Sequence, residues 1–399
     1  MTEIKENNKS QSGSGFGQVI KANLREYMMY IVLVAIIIYF SVATDGAFIT
    51  ANNISNLFNQ AAYVAVLAIG MTLILILKHI DLSVGYVAGF SGAVCAIMLS
   101  KGIPVFIVIP AVLLLGLVIG LYQGTLVTRV GVPAFVTTLA GMFIFRGLLG
   151  VVLSKQGTIV VSDKTFNALN NGFIPDIPNS TGLHLMTLII GGIGVAVIIY
   201  SQIKARKNKQ KYGFKVMSAP AFLATLVLVA VAVMTVVTVL AKAKGIPWSA
   251  VIVAVILLAY SIMLNKTRLG RYIYGIGGND QAAELSGVNV KKVTMFAFCS
   301  MSVLAAVSGI LYTSRLMSAT PTAGNAFEMD AIASSYIGGV AVSGGVGKVT
   351  NTIIGTLVIM SLTNGMNLLG VDAFMQYIVK GVIFIIAVAF DVITRKKSK

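Results

Sequence analysis

Long apolar runs separated by short polar stretches repeat along nearly the whole chain. They fall at residues 28–43, 61–77, 84–99, 104–127, 134–153, 183–203, 219–240, 246–264, 293–312, 329–346, 349–369 and 373–393. Each is near the roughly 20 residues that an α-helix needs to cross about 30 Å of hydrocarbon. The pattern predicts an all-α fold, a polytopic bundle of about ten to twelve transmembrane helices. An even count puts both termini on the same side. The weakest run, 329–346, carries Gly338, Gly339, Gly344 and Gly345, and Gly347 directly follows it. That run either crosses or forms a broken, re-entrant element buried in protein.

Composition agrees with the pattern. Hydrophobic residues make up 57% of the 399 and charged residues 11%, with a mean hydropathy of +0.90. A soluble domain is about one-quarter charged. In a soluble protein the net charge of +17 would suggest nucleic acid, but here the basic residues sit in short segments between apolar runs, which argues against it. With both termini inside, only Lys101, Lys155, Lys164, Lys242, Lys244 and Arg315 fall outside, and of the 30 Lys and Arg only Arg146 and Lys380 lie within runs. The bias orients both termini toward the cytoplasm. Residues 1–27 read as a disordered cytoplasmic tail, 28–394 as the membrane domain and 395–399 as a basic cytoplasmic tail. The run at 28–43 has the look of a signal-peptide core, with Ser41-Val42-Ala43 as a cleavage look-alike, but its length after a long tail favours a retained span.

The longest informative polar interruption is 265–292, NKTRLGRYIYGIGGNDQAAELSGVNVKK. Asn279 and Asp280 suit a helix N-terminus, Ala282, Ala283, Glu284 and Leu285 form helix well, and Gly287 suits the left-handed residue after the last turn. A helix of roughly two turns is unstable alone. It therefore needs a partner surface, and the small Ala282/Ala283 face would admit one closely.

Other motifs carry less. Gly275-Ile276-Gly277 lacks the third glycine of a dinucleotide fingerprint, and SGGVGKVT at 343–350 lacks the first glycine and the hydroxyl after lysine of a phosphate loop. The chain therefore binds no nucleotide cofactor of its own on this reading. His79 and His184 are too isolated for a metal site, and Cys95 and Cys299 lie in apolar runs as small hydrophobes. In KHIDLSVG at 78–85, Asp81 and Ser83 either shape a pathway through a broken element or form an ordinary turn that caps the next helix. Asn364 and Asn367, at i and i+3, either face a lumen or bond to neighbouring helices. Arg146 and Lys380 must face protein, water or an interface, and Glu328, Asp330 and Asp372 are either electrostatic partners for charges on the outer side or helix caps. The basic loop 204–215 reads as an anchor at an anionic membrane lipid surface.

Several segments together resemble one family. IDLSVG at 80–85, PAFVTTLAGMFIFRG at 133–147, GRYIYGIGGNDQAAELSGVNVKKV at 270–293, EMDAIASSYIGGVAVSGGVGKV at 328–349 and the stretch 364–392 look like the permease subunits of bacterial ABC sugar importers of the ribose, xylose and galactose type. Residues 183–240 look like an extra pair of spans, as in longer xylose-type or multiple-monosaccharide permeases. The resemblance implies a homodimer in the bacterial cytoplasmic membrane and a pair of ABC ATPase subunits that bind ATP and magnesium. It also implies an extracytoplasmic sugar-binding protein and a monosaccharide substrate such as xylose, ribose, arabinose or galactose. It places the ATPase-coupling segment at Gly278, Asn279, Asp280, Ala282, Ala283, Glu284 and Gly287, and leaves Asp81, Ser83, Asn364 and Asn367 as pathway residues. The alternative is a secondary sugar transporter driven by an ion gradient. Against it, the titratable groups expected within spans are few and mainly basic. No nucleophile or metal cluster suggests a membrane enzyme, and a passive channel leaves the capped polar helix without a purpose.

Overall fold

The computed structural model describes residues 24–396 apart from 181 and 215. Most of the expected N-terminal tail, 1–23, and the last three residues of the basic tail lie outside the described residues. The helices run in chain order as α1 (Leu24–Ala43), α2 (Ala51–Ile76), α3 (Val84–Ser100), α4 (Val105–Thr125) and α5 (Ala134–Leu153). After them come β1 (Ile159–Val160), α6 (Lys164–Asn171), α7 (Leu185–Lys211), α8 (Ala219–Lys242) and α9 (Trp248–Lys266). The chain continues with α10 (Arg268–Gly278), α11 (Asp280–Leu285), α12 (Val290–Leu316), β2 (Ser318–Ala319), α13 (Phe327–Ile337), α14 (Val349–Leu368) and α15 (Ala373–Lys396). Eight of these are long and apolar enough to cross a membrane by length and composition. With one short antiparallel pair of strands, Ile159 opposite Ala319, the fold is a polytopic helix bundle.

The described residues divide into two compact units, 29–174 with 246–396, and 24–28 with Pro175–Gly245. The larger is built around α2 and α12, which are buried over most of their length. Small residues let α12 reach its neighbours at backbone contact. A Cβ on Gly309 of α12 would stand 2.1 Å from the carbonyl oxygen of Ala88 and 3.0 Å from the nitrogen of Gly92, both on α3. One end of this unit is tied by side chains: Ser249 Oγ donates to Asn59 Oδ1 at 2.8 Å, and Ser314 Oγ to the Phe166 carbonyl at 2.9 Å. The other end holds α10, α11 and the turns after α13.

The smaller unit is a helical hairpin of α7 and α8, in contact where Gly191 meets Val237. Its polar connection is shorter than expected. The region 204–215, read as a basic loop, is helical through Lys211, because Ala205, Arg206, Lys207, Lys209 and Gln210 are all good helix formers. The run at 329–346 does not cross as a helix. The 11 residues of α13 span about 16 Å, half the hydrocarbon thickness, and the glycines after it turn the chain instead.

Candidate functional site

Two features stand out in the larger unit: a buried polar junction inside the bundle and a short exposed helix at one end.

The junction forms where α2 stops. Lys78 adopts a left-handed conformation, φ 64°, and the chain turns back into the bundle without helical hydrogen bonds over 79–82. Asp81, 0% exposed, accepts at Oδ1 from the Ser83 amide at 2.9 Å and the Ser83 hydroxyl at 2.7 Å. Gln123 of α4 donates from Nε2 to Ser83 Oγ at 2.8 Å, and Thr138 of α5 donates to the Ile80 carbonyl at 3.1 Å. The start of α13 meets the start of α3 here. A Cβ on Gly85 would lie 2.4 Å from both Glu328 Oε2 and the Gly324 carbonyl oxygen. Two helix N-termini thus converge on buried carboxylates, the arrangement by which broken helices build a site inside a membrane. Asp81 Oδ2, Gln123 Oε1 and Glu328 Oε2 are buried acceptors with no protein partner. Chemically, the junction can receive hydrogen bonds from a hydroxyl-rich molecule or hold a proton or a small cation.

The exposed helix is α11. Asn279 Oδ1 accepts from the Ala282 amide at 3.0 Å and caps it, and Gly287 leaves it at φ 84°. Its preceding helix α10 is capped by Thr267, whose hydroxyl accepts from the Gly270 amide at 3.2 Å. The face expected for a partner needs correction. Ala283 turns inward and is buried, so Ala282 and Ala283 do not form one exposed surface, because consecutive helical positions point about 100° apart. Leu285, 91% exposed, is the free apolar side chain beside Ala282, with Asp280 and Glu284 also exposed.

Behind α11 the backbone is clasped. The Gly345 amide donates to the Ile76 carbonyl at 2.9 Å, the Tyr274 hydroxyl to the Gly347 carbonyl at 2.7 Å, and Lys78 Nζ to the Gly278 carbonyl at 3.5 Å. A Cβ on Gly277 would stand 1.9 Å from the Ile76 oxygen and 2.6 Å from the Gly345 nitrogen, so only glycine permits the approach. The end of α10, the end of α2 and the turn after α13 are therefore locked together, five residues from Asp81 along the chain at Ile76. The sequence pattern singled out the glycines at 338–347 as a possible break but not this contact. Tyr274 and Gln123 were missed too, although a lone glutamine in an apolar run is a usable signal.

The structure does not bring Asn364 and Asn367 to the junction. Asn364 is buried and exchanges amide hydrogen bonds with Asn53 of α2 at 2.8 and 3.1 Å, while exposed Asn367 accepts from Gln376 at 2.7 Å. Lys380 pairs with Asp330 at 3.0 and 3.1 Å. Arg146 is exposed, with its guanidinium 5.7 Å from the Tyr86 ring. Cys95 and Cys299 are free thiols, and among the described residues no group of His, Cys, Asp and Glu is arranged to hold a metal.

The membrane-length helices, with the buried polar break and the exposed polar helix between them, define a polytopic membrane protein. The chain belongs to the family whose model is described as branched-chain amino acid transport system, permease component, which matches residues 53–388. It is 35% identical over 390 residues to the xylose transport system permease protein XylH of Escherichia coli, covering 97% of this chain and 96% of that one. With the XylH protein of Haemophilus influenzae it shares 39% over 376 residues, 94% and 98% of the two chains. The ribose import permease protein RbsC of Escherichia coli is 32% identical over 382 residues, 96% and 98%. No solved structure matches the chain. It is a multi-pass protein of the cell membrane.

Proposed function

We propose that this chain is the membrane subunit of an ATP-driven importer that moves a monosaccharide, a pentose or hexose of the xylose and ribose class, across the bacterial cytoplasmic membrane. The observation that carries the reading is α11: a capped two-turn helix with an exposed leucine, mounted on a rigid backbone clasp rather than on a loose loop. Lys266, Arg268 and Arg271 precede it and Lys291 and Lys292 follow it in the sequence, a density of positive charge that supports a cytoplasmic position. The partners are a pair of ABC ATPase subunits holding ATP and magnesium, an extracytoplasmic sugar-binding protein and a second copy of the permease.

In this mechanism α11 seats in a cleft of the ATPase through Ala282 and Leu285. Gly278, Asn279 and Asp280 start the helix, Glu284 faces the partner, Gly287 ends it and Ala283 fixes it to the permease. Closing of the ATPases shifts α11, and the contact of Gly277 with Ile76 and Gly345 passes the shift to the base of α2 and the turn after α13. Both lead into the junction, so access alternates there between the two sides. Asp81 and Ser83, with Gln123 and Glu328, line the path and accept hydrogen bonds from sugar hydroxyls. Asn364 and Asn367 would meet sugar only at its entrance, and Asn364 only by giving up Asn53.

The convergence of Asp81 and Glu328 favours a second reading, a secondary transporter coupled to a proton or sodium ion. Purification of the tagged chain in mild detergent, followed by transport assays in vesicles, separates the two. The importer reading expects a co-purifying ATPase, lost in Leu285→Asp, and sugar uptake that requires ATP. A chain that emerges alone and moves sugar on an ion gradient establishes the secondary transporter.

A further inference from the structure

We propose that the α7–α8 hairpin holds one anionic phospholipid, its phosphate on Arg206 and Lys209 and an acyl chain in the cleft between the helices. The inference is independent of the transport reading. A cavity of about 420 Å³ lies within this unit. Arg206, Lys209 and Phe222 line one end of it, taken as the mouth, and Ile198, Val229 and Val233 line the other. Polar mouth and apolar floor match the two halves of a lipid.

Position along the helix places the mouth at headgroup level. Arg206 stands 21 residues after Leu185, where α7 begins, which is about 32 Å along the axis against about 30 Å of hydrocarbon. Phe222 sits in the first turn of α8, at the same end of the hairpin as Arg206. The guanidinium carbon of Arg206 lies over the Phe222 ring, 4.5 Å from its centroid, a cation–π contact that holds the side chain in the cleft. Its Nη1 is buried and makes no hydrogen bond within the protein. A buried guanidinium nitrogen without an acceptor is costly, and a phosphate oxygen would satisfy it with a charge-assisted bond. Lys209 lies three residues on, on the same helical face, and supplies a second cation. Lys204 and Lys207 do not line the cleft; they provide only the general attraction of a basic segment for an anionic leaflet.

The test is native mass spectrometry of the full-length chain in mild detergent, titrated separately with phosphatidylglycerol, phosphatidylcholine and inorganic phosphate. We expect one phosphatidylglycerol bound about tenfold more tightly than phosphatidylcholine, with no retained inorganic phosphate. The double variant R206Q/K209Q should lose about tenfold in that affinity, and K204Q/K207Q, with the same change in charge, less than twofold. Ala230→Trp fills the cleft floor and leaves every charge in place; it should also lose phosphatidylglycerol, at an unchanged elution volume in size exclusion. Equal losses in the two double variants would reduce the effect to surface charge and overturn the proposal. So would equal affinity for the two lipids, retention of inorganic phosphate in place of lipid, or normal binding by Ala230→Trp.

Discussion

Helices α2 and α8 look alike as sequence and differ most in the molecule. Both are apolar and longer than a membrane is thick, and α8 is the more apolar, yet 89% of the apolar stretch of α2 is buried inside the protein and only 11% of that of α8. Hydropathy measures a preference for leaving water, and lipid satisfies it as well as protein does. What separates the two is polar partners on other helices. α2 carries Asn53, Asn59 and Thr72, each hydrogen-bonded to another helix: Asn53 to Asn364, Asn59 to Ser249 and Thr72 to Thr352 at 2.7 Å. α8 is a run of valine, alanine and leucine whose threonines bond within the helix, as Thr235 does to Val231. The centre of the larger unit is therefore specified and the hairpin only loosely so, which suits the hairpin to hold lipid.

The contrast predicts a steep gradient of tolerance. Gly309→Leu drives a side chain into the backbone of α3 and should cost about 3 kcal/mol or more, seen as a large fall in the thermal midpoint in detergent. Gly194→Leu on α7, where a Cβ meets nothing within 4 Å, should leave that midpoint within error and serves as the matched control. Equal loss in both would erase the distinction between the regions. Asp330→Asn leaves Lys380 without its anion in a mostly buried site and should cost about 2 to 4 kcal/mol, with most of it recovered in the double variant D330N/K380M. Leu285→Asp should leave stability unchanged and lower uptake at least about tenfold, measured with radiolabelled sugar in cells that show normal membrane levels. The smallest loss of stability is expected at Asn364→Ala. Breaking the amide pair with Asn53 should cost about 1 kcal/mol in equilibrium unfolding, in line with interhelical hydrogen bonds in membranes.

Ala283 shows how close a sequence reading comes and where it stops. The cap at Asn279, the short helix and the exit at Gly287 all follow from local chemistry, and each stands where the residues put it. Which side of that helix is free depends on α10 and α12, and two turns carry too little pattern to reveal it. The same limit applies to Gly277. Its need for glycine arises from Ile76 and Gly345, about two hundred residues before it and about seventy after it.

The sequence alone determined that this is a polytopic helical membrane protein, because runs of about 20 apolar residues have no other stable arrangement in lipid. It also determined the short capped helix between spans, since capping and left-handed turns are local. Tertiary structure alone decided that α13 is half a span, that α3 and α13 start against one another over Asp81 and Glu328, and that α2 is buried while α8 stays mostly exposed. Those outcomes depend on which backbone can approach which, and that distance is set by pairs of small and polar residues far apart in the chain.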